Sequence, residues 1–267
     1  MATLPGGARS IRRFYREAAS VADDRADTPP AEDRFAGRPC WRLVLDGRPG
    51  RTPAGAPFRL PHRRLAAAIA QEWQAQEERI DPATMPMTRL AATALDRIGR
   101  HRGEIIRDIA NYAGTDLLCY RAETPADLVR LQQQAWQPLL DWADEHLGAH
   151  LVVTAGVVPV AQPPEAVARL AARVAAADDF TLTALAATVQ ATGSLIIGLA
   201  LVDGRLAADA AFDAALLDER YQAAQWGVDP EAEARRRRLA DEIGEASRFL
   251  GLLADDGGPA GPSGEDR

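Results

Sequence analysis

Apolar and polar positions change their period along this chain, and the changes mark its elements. "WRLVLDG" at 41–47 alternates apolar with polar and runs into Asp46-Gly47, the pattern of a strand entering a tight hairpin. Further Gly and Pro at 49–57 predict short strands and tight turns. Residues 11–22, "IRRFYREAASVA", fit either a short helix or an edge strand, and 23–33, "DDRADTPPAED", reads as a polar loop. From Pro61 the period lengthens. Leu65, Ile69 and Trp73 form one stripe at four-residue spacing, which predicts a helix with one buried face. "DPATMPM" at 81–87 breaks it. A second helix is expected over 88–115, kinked near Gly103 and closed by Gly114, followed by a strand in "TDLLCYRA" at 115–122.

The rest of the chain reads as almost entirely helical. Residues 124–148 predict a helix with Thr124 as N-cap, Pro125 at its first position and a kink at Pro138. Its apolar stripe is taken as Leu128, Leu131, Ala135, Leu139 and Trp142. Residues 151–163 suggest an extended pair turning at Ala155-Gly156, and helices follow over 164–177, 180–202, 207–226 and 230–253. The run "LTALAATVQATGSLIIGLALV" at 182–202 approaches membrane-span length. It carries Thr, Gln, Gly and Ser at its centre and lacks basic flanks, so one central bundle helix is the better reading. The tail from 255 is low in complexity and expected to be disordered. Strands first and helices afterwards predict an α+β fold: a small β-rich N-terminal domain followed by a mostly helical, orthogonal C-terminal bundle. The expected domains are 10–85 and 86–254, with a tail at 255–267; strands near 116 and 151 fit either domain.

Composition narrows the function classes. The 267 residues include 31 basic and 38 acidic side chains, for a formal net charge of −7, which argues against nucleic acid as a partner. All the basic side chains are arginine; there is no lysine. Cys40 and Cys119 are too few and too isolated for a thiolate metal site, and are expected as buried reduced thiols. The first twenty residues have no apolar signal core, so a cytoplasmic protein is expected.

Candidate chemistry is sparse. Neither a phosphate-binding loop, a dinucleotide fingerprint nor a nucleophile elbow occurs. His146 and His150 have helical metal-ligand spacing, but Gly148 between them should end the helix. Adjacent acids such as Asp218 and Glu219 diverge on a helix, whereas acid–base chemistry needs two groups converging on one substrate. "RRRR" at 235–238 is flanked by acids at pairing distance and reads as a solvated helix face. Trp73, Trp136 and Trp142 sit on apolar stripes; Trp226 ends a helix and suits either a core cap or an interface anchor. An enzyme assembled from scattered residues such as Arg89, Asp96, Arg97 and Asp116 stays open as an alternative, as does a general protein-binding adaptor.

Several strings carry a resemblance: "RFYREAAS", "WRLVLDGRPGRTPAGAPFRLP", "AIAQEWQAQEERIDPATMPMTRLAATALDR", "YAGTDLLCYRA", "QPLLDWA" and "LDERYQAAQWG". In order and spacing they resemble the family of F-type ATP synthase assembly chaperones that handle the alpha subunit, of mitochondrial and alphaproteobacterial type. The resemblance runs from about residue 12 to about residue 253. It implies a two-domain, monomeric protein with neither enzymatic activity nor cofactor. Its partner would be the free ATP synthase alpha subunit, shielded until the beta subunit displaces it, in the cytoplasm or, for a eukaryotic source, the mitochondrial matrix. The family's acidic position falls in "LDERYQ". Glu219 matches it best, with Asp218, Tyr221 and Trp226 as further partner-binding candidates; Arg220 departs from a fully acidic run.

Overall fold

The computed structural model describes residues 11–23, 35, 38–156, 158–227 and 229–254. Most of the 23–33 segment and the 255–267 tail lie outside them. The chain divides into two compact units, one reaching to Asp96 and including residues from Gly251 onward, the other spanning Arg97–Leu250. The architecture is α+β, with small sheets in the first unit and helices dominating the second.

The first unit contains β1 (Ile11–Arg12), β2 (Ala18–Ala22), β3 (Trp41–Leu45), β4 (Arg48–Pro49), β5 (Arg59–Leu60), α1 (Arg63–Gln74), β6 (Arg79–Ile80) and α2 (Pro86–Thr93). Of the two readings of 11–22, the strand holds. β2, β3 and β4 pair in that order, β5 also pairs with β3, and β1 pairs with β6. Asp46 and Gly47 take φ of 48° and 75°, so both hairpin positions are left-handed and the expected tight turn forms. Helix α1 lays Leu65, Ala66 and Ile69 against β2 and β3, holds the whole expected stripe through Trp73 and stops at Gln74.

A buried carboxylate joins α1 to α2. Glu72 accepts hydrogen bonds from the backbone N–H groups of Met87 (2.7 Å) and Thr88 (2.8 Å) and from the Thr88 hydroxyl (2.7 Å). It therefore satisfies the otherwise orphaned N-terminus of α2 from a neighbouring helix. The Gln76 amide accepts from Asp81 N–H at 2.7 Å and donates to the Glu72 carbonyl and Thr84 hydroxyl, pinning the connection. The string "EWQAQ…IDPATMPMT" is one hydrogen-bonded corner.

The single helix expected over 88–115 is three pieces: α2, a π-helical turn at Ala94–Ile98, and α3 (Gly99–Ala110). The backbone leaves helical angles at His101 (φ −121°, ψ 23°), two residues before the expected kink at Gly103. Gly114 closes a 3-10 turn with no left-handed cap. The strand expected over 115–122 shrinks to β7 (Tyr120–Arg121), because the Asp116 side chain accepts from Leu118 N–H and winds 117–119 into a 3-10 turn.

The second unit continues with α4 (Ala126–Leu147), β8 (Thr154–Ala155), α5 (Pro164–Ala176), α6 (Asp179–Thr192), α7 (Leu195–Val202), α8 (Ala208–Ala215), α9 (Leu217–Trp226) and α10 (Pro230–Leu253). Pro125, not Thr124, is the α4 N-cap, and the helix runs through Pro138 as one element. Its buried face is Leu128, Gln132, Trp136, Leu139, Leu140, Trp142 and Ala143, whereas Leu131 is 41% exposed. β8 pairs in parallel with β7 instead of forming a local hairpin at Ala155-Gly156.

The apolar run at 182–202 is two helices broken at Gly193-Ser194. Asp178 caps α6, Gly193 ends it with φ 69°, and Ser194 caps α7. The hydroxyls of Thr183, Thr188 and Thr192 return to carbonyls four residues back, which lets them sit in the core. Gly198 is required by contact: a Cβ there would fall 2.7 Å from Val189 Cγ2. Leu195–Leu201 are all buried, so α7 is the centre of the bundle. Among the described residues no helix is long and apolar enough to cross a membrane.

Asp116 does for α7 what Glu72 does for α2. Fully buried, it accepts from the Ser194 hydroxyl (2.7 Å) and Ile196 N–H (3.0 Å) as well as from Leu118. Replacing Asp116 or Glu72 by alanine strands several buried donors, each costing about 1–3 kcal/mol. Urea unfolding should therefore show a loss of about 2–4 kcal/mol for each variant. Burial raises the Asp116 pKa from 3.8 despite its hydrogen bonds. Its contribution is then greatest below its unfolded value and falls as pH rises through the folded one. Asp116→Asn should cost less than Asp116→Ala and should remove that slope from the stability–pH curve.

Candidate functional site

Helix α9 carries all four candidate residues, and none of its ten residues is fully buried. An isolated helix of this length is marginal in water. Leu217 packs partly buried against the core, and polar contacts hold the rest of the helix. Asp218 and Tyr221, one turn apart, both face α4. Asp218 accepts from Gln132 Nε2 at 2.7 Å, and the Tyr221 hydroxyl donates to both carboxylate oxygens of Asp127 at 2.9 Å.

The Gln132 side chain is the node beneath α9. It is 1% exposed. Its Oε1 accepts from Ala122 N–H at 2.8 Å while its Nε2 reaches Asp218. Its backbone carbonyl accepts from Arg121 Nη1 at 2.8 Å. Arg121 Nε donates to the Leu118 carbonyl, and the guanidinium lies 5.2 Å from the Trp136 ring centroid. Trp136 Nε1 in turn donates to the Ala214 carbonyl in α8 at 2.8 Å. Burial lowers the Arg121 pKa, and the nearby Cys119 and Asp218 oppose that shift. Burial pushes the Cys119 thiol up to about 12, aided by Asp116, so this cysteine is protonated at neutral pH and unreactive.

Glu219 turns the other way and accepts from Arg235 of α10 across the surface. Its side chain is 37% exposed and that of Arg235 60%. The four-arginine run is therefore split in use: Arg235 reaches Glu219, Arg236 packs down onto Glu233, and Arg237 and Arg238 face solvent. Arg220 pairs with Asp213 of α8. Trp226, two turns beyond Glu219 and on the same helix stripe, is 81% exposed. It caps no core.

The other candidates resolve into structural roles. Asp96 accepts from the Thr52 hydroxyl (2.6 Å) and Ala54 N–H (3.0 Å), which anchors the 52–56 turn. Asp116 is the α7 cap described above. Neither carboxylate is left facing a substrate. His146 stacks on Trp142, and His150 Nδ1 lies 2.9 Å from Asp144. No metal-holding cluster of His, Cys, Asp or Glu occurs among the described residues. Cys40 and Cys119 are both buried. Trp136 and Trp142 are buried as expected, but Trp73 is only partly so.

The α9 surface thus presents an exposed aromatic and an accessible ion pair. Comparison with known proteins gives the family. The ATP12 chaperone protein family model matches residues 12–144. A crystal structure of Atp12 from Paracoccus denitrificans is 41% identical, covers 91% of this chain and 99% of that one, and superposes with a TM-score of 0.83. The chain belongs to the ATP12 chaperone family. A second Paracoccus denitrificans Atp12p structure, an aspartate-to-lysine variant, matches at 40% identity, 91% and 98% coverage and the same TM-score. The Atu1473 protein from Agrobacterium tumefaciens matches at 36%, covering 91% of this chain and 86% of that one, with a TM-score of 0.80. Membership makes the protein a chaperone of ATP synthase assembly and not an enzyme.

Gln132, Arg121 and Asp127 were not singled out from the sequence. The available signal was Gln132 itself, one helical turn from both Leu128 and Trp136. A polar residue there must be paired.

Gln132→Leu keeps the volume but removes both side-chain bonds. It should speed amide exchange across 217–226 while leaving 195–202 protected, as read by hydrogen–deuterium exchange. Tyr221→Phe should act in the same direction. The Tyr221 bond, followed by Asp127's own backbone contacts, holds the Asp127 carboxyl below its ordinary 3.8; Asp127 keeps the Tyr221 hydroxyl above its ordinary 10.0. The contact is therefore lost only as pH falls through the lowered Asp127 value or rises through the raised Tyr221 value. Protection of α9 should show no titration of this pair between about pH 5 and 9.

Proposed function

We propose that the protein binds the free alpha subunit of F-type ATP synthase and covers its assembly surface until the beta subunit displaces it. The observation that carries this reading is Trp226, 81% exposed on a helix held in place by polar contacts. Tryptophan is among the side chains that most often anchor protein interfaces. In this reading Trp226 supplies contact area and Glu219 sets register. The Glu219–Arg235 pair is exposed, and such pairs are worth only about 0–1 kcal/mol, so it opens cheaply for an intermolecular partner. Asp218 and Tyr221 serve the same surface from behind by fixing α9 on α4.

An unassembled subunit exposes a large interface that invites aggregation. A holder must cover it with moderate affinity and then yield to a partner with more interface energy. Neither step needs hydrolysis. The protein would act as a monomer without cofactor, in the cytoplasm or, for a eukaryotic source, the mitochondrial matrix.

Co-expression provides the test. The tagged protein should retain the alpha subunit and keep more of it soluble. Trp226→Ala should weaken retention by about 2 kcal/mol, the scale of an aromatic anchor, and Glu219→Lys should weaken it further at low salt. Both variants should keep the parent melting temperature. Absence of retention by the unmodified protein, or full retention by both variants, would rule out this reading.

A further inference from the structure

The first unit carries an open cavity of about 580 Å³ that the α9 surface does not use. Its walls are mostly apolar and aromatic: Phe14, Tyr15, Leu43 and Trp73, with Pro49 along one side. Phe14 stands at 66% exposure and packs edge-on against the Tyr15 ring at 5.3 Å. Tyr15 is fixed in turn, its hydroxyl donating to the Trp73 carbonyl at 2.7 Å. The aromatic wall is therefore built before any partner arrives.

The rim is charged, with two guanidiniums to one carboxylate. Arg48 and Arg51 both line the cavity and are exposed. Arg51 donates one bond to the Gly55 carbonyl, and neither arginine has a carboxylate partner among the described residues. The one acid in the lining, Asp46, is already committed. It accepts from Arg16 N–H at 3.0 Å and Glu17 N–H at 2.9 Å, and those bonds hold its pKa down. A guest thus meets an apolar floor beside two guanidiniums, which favour carboxylate oxygens in bidentate geometry.

We propose that this cavity is a second client contact, taking an apolar side chain flanked by a carboxylate from an exposed segment of the bound subunit. The inference rests on the chaperone reading and adds to it a contact on the first unit. Charge selects that occupant over the chain's own first ten residues, "MATLPGGARS", which carry an arginine and no acid. Two modest sites on one client give a joint affinity well above either alone, yet each releases separately when a competitor arrives.

The test uses the full chain with a benzoylphenylalanine photocrosslinker at position 14, co-expressed with the alpha subunit. Retention is measured in parallel for the Arg48→Glu/Arg51→Glu variant. The crosslink should join position 14 to an alpha-subunit segment with an Asp or Glu within about two residues of an apolar side chain. The double reversal should lower retention about tenfold at low salt, with little effect in high salt. Its melting temperature should match the parent. If the unmodified protein retains the alpha subunit but the double variant retains as much, or the crosslink falls within the chain itself or on a basic segment, this inference fails and the α9 reading stands. If the unmodified protein retains no alpha subunit, both fail.

Discussion

The amide of Gln132 is the contact on which the proposed binding surface depends. It lies in the apolar core of α4, and a buried primary amide is tolerated only when its donors and acceptors are met. Ala122 N–H meets one side and Asp218 the other. The carboxylate of Asp218 therefore cannot leave without stranding a donor inside the protein. That requirement ties α9 to α4 although α9 buries no side chain of its own. A helix held in this way is ordered but not strongly stabilised, which suits the proposed role of gripping a partner and releasing it.

The same economy governs the two corners of the fold. Glu72 and Asp116 are carboxylates taken out of water to satisfy the N-termini of α2 and α7. Each sits in one unit and closes a long-range connection inside it, over 15 residues for Glu72 to Met87 and 80 for Asp116 to Ile196. Removing an acceptor of this kind costs more than the bond was worth, because the donors remain buried. These corners account for the idiosyncratic strings "EWQAQ…MPMT" and "GTDLLCY", whose residue choices no periodicity would require.

Periodicity made the gross architecture legible. The alternation in "WRLVLDG" and the Asp46-Gly47 turn gave the hairpin, and the stripe through Leu65 and Ile69 gave α1. What failed was local, and two of the departures share a cause. Side-chain oxygens competed with regular backbone pairing: Asp116 wound an expected strand into a 3-10 turn, and Ser194 with Asp116 split an expected helix. The burial of α4 was misjudged because Gln132 occupies a position that pattern reading reserves for apolar residues, while Leu131 faces water. The acidic pair at 218 and 219 could be found from sequence but not divided. Only the fold separates Asp218, turned to Gln132, from Glu219, turned to Arg235.

Once divided, the two acids support a single picture. One positions the helix and the other stays available at its surface, beside a tryptophan that nothing in its own unit covers. The most direct test compares amide exchange across 217–226 in the free protein with that in its complex with the alpha subunit. Free α9 should exchange readily, as a helix without buried side chains does, and should become strongly protected in the complex. Unchanged exchange in α9 while the alpha subunit is bound would contradict its role as the docking helix.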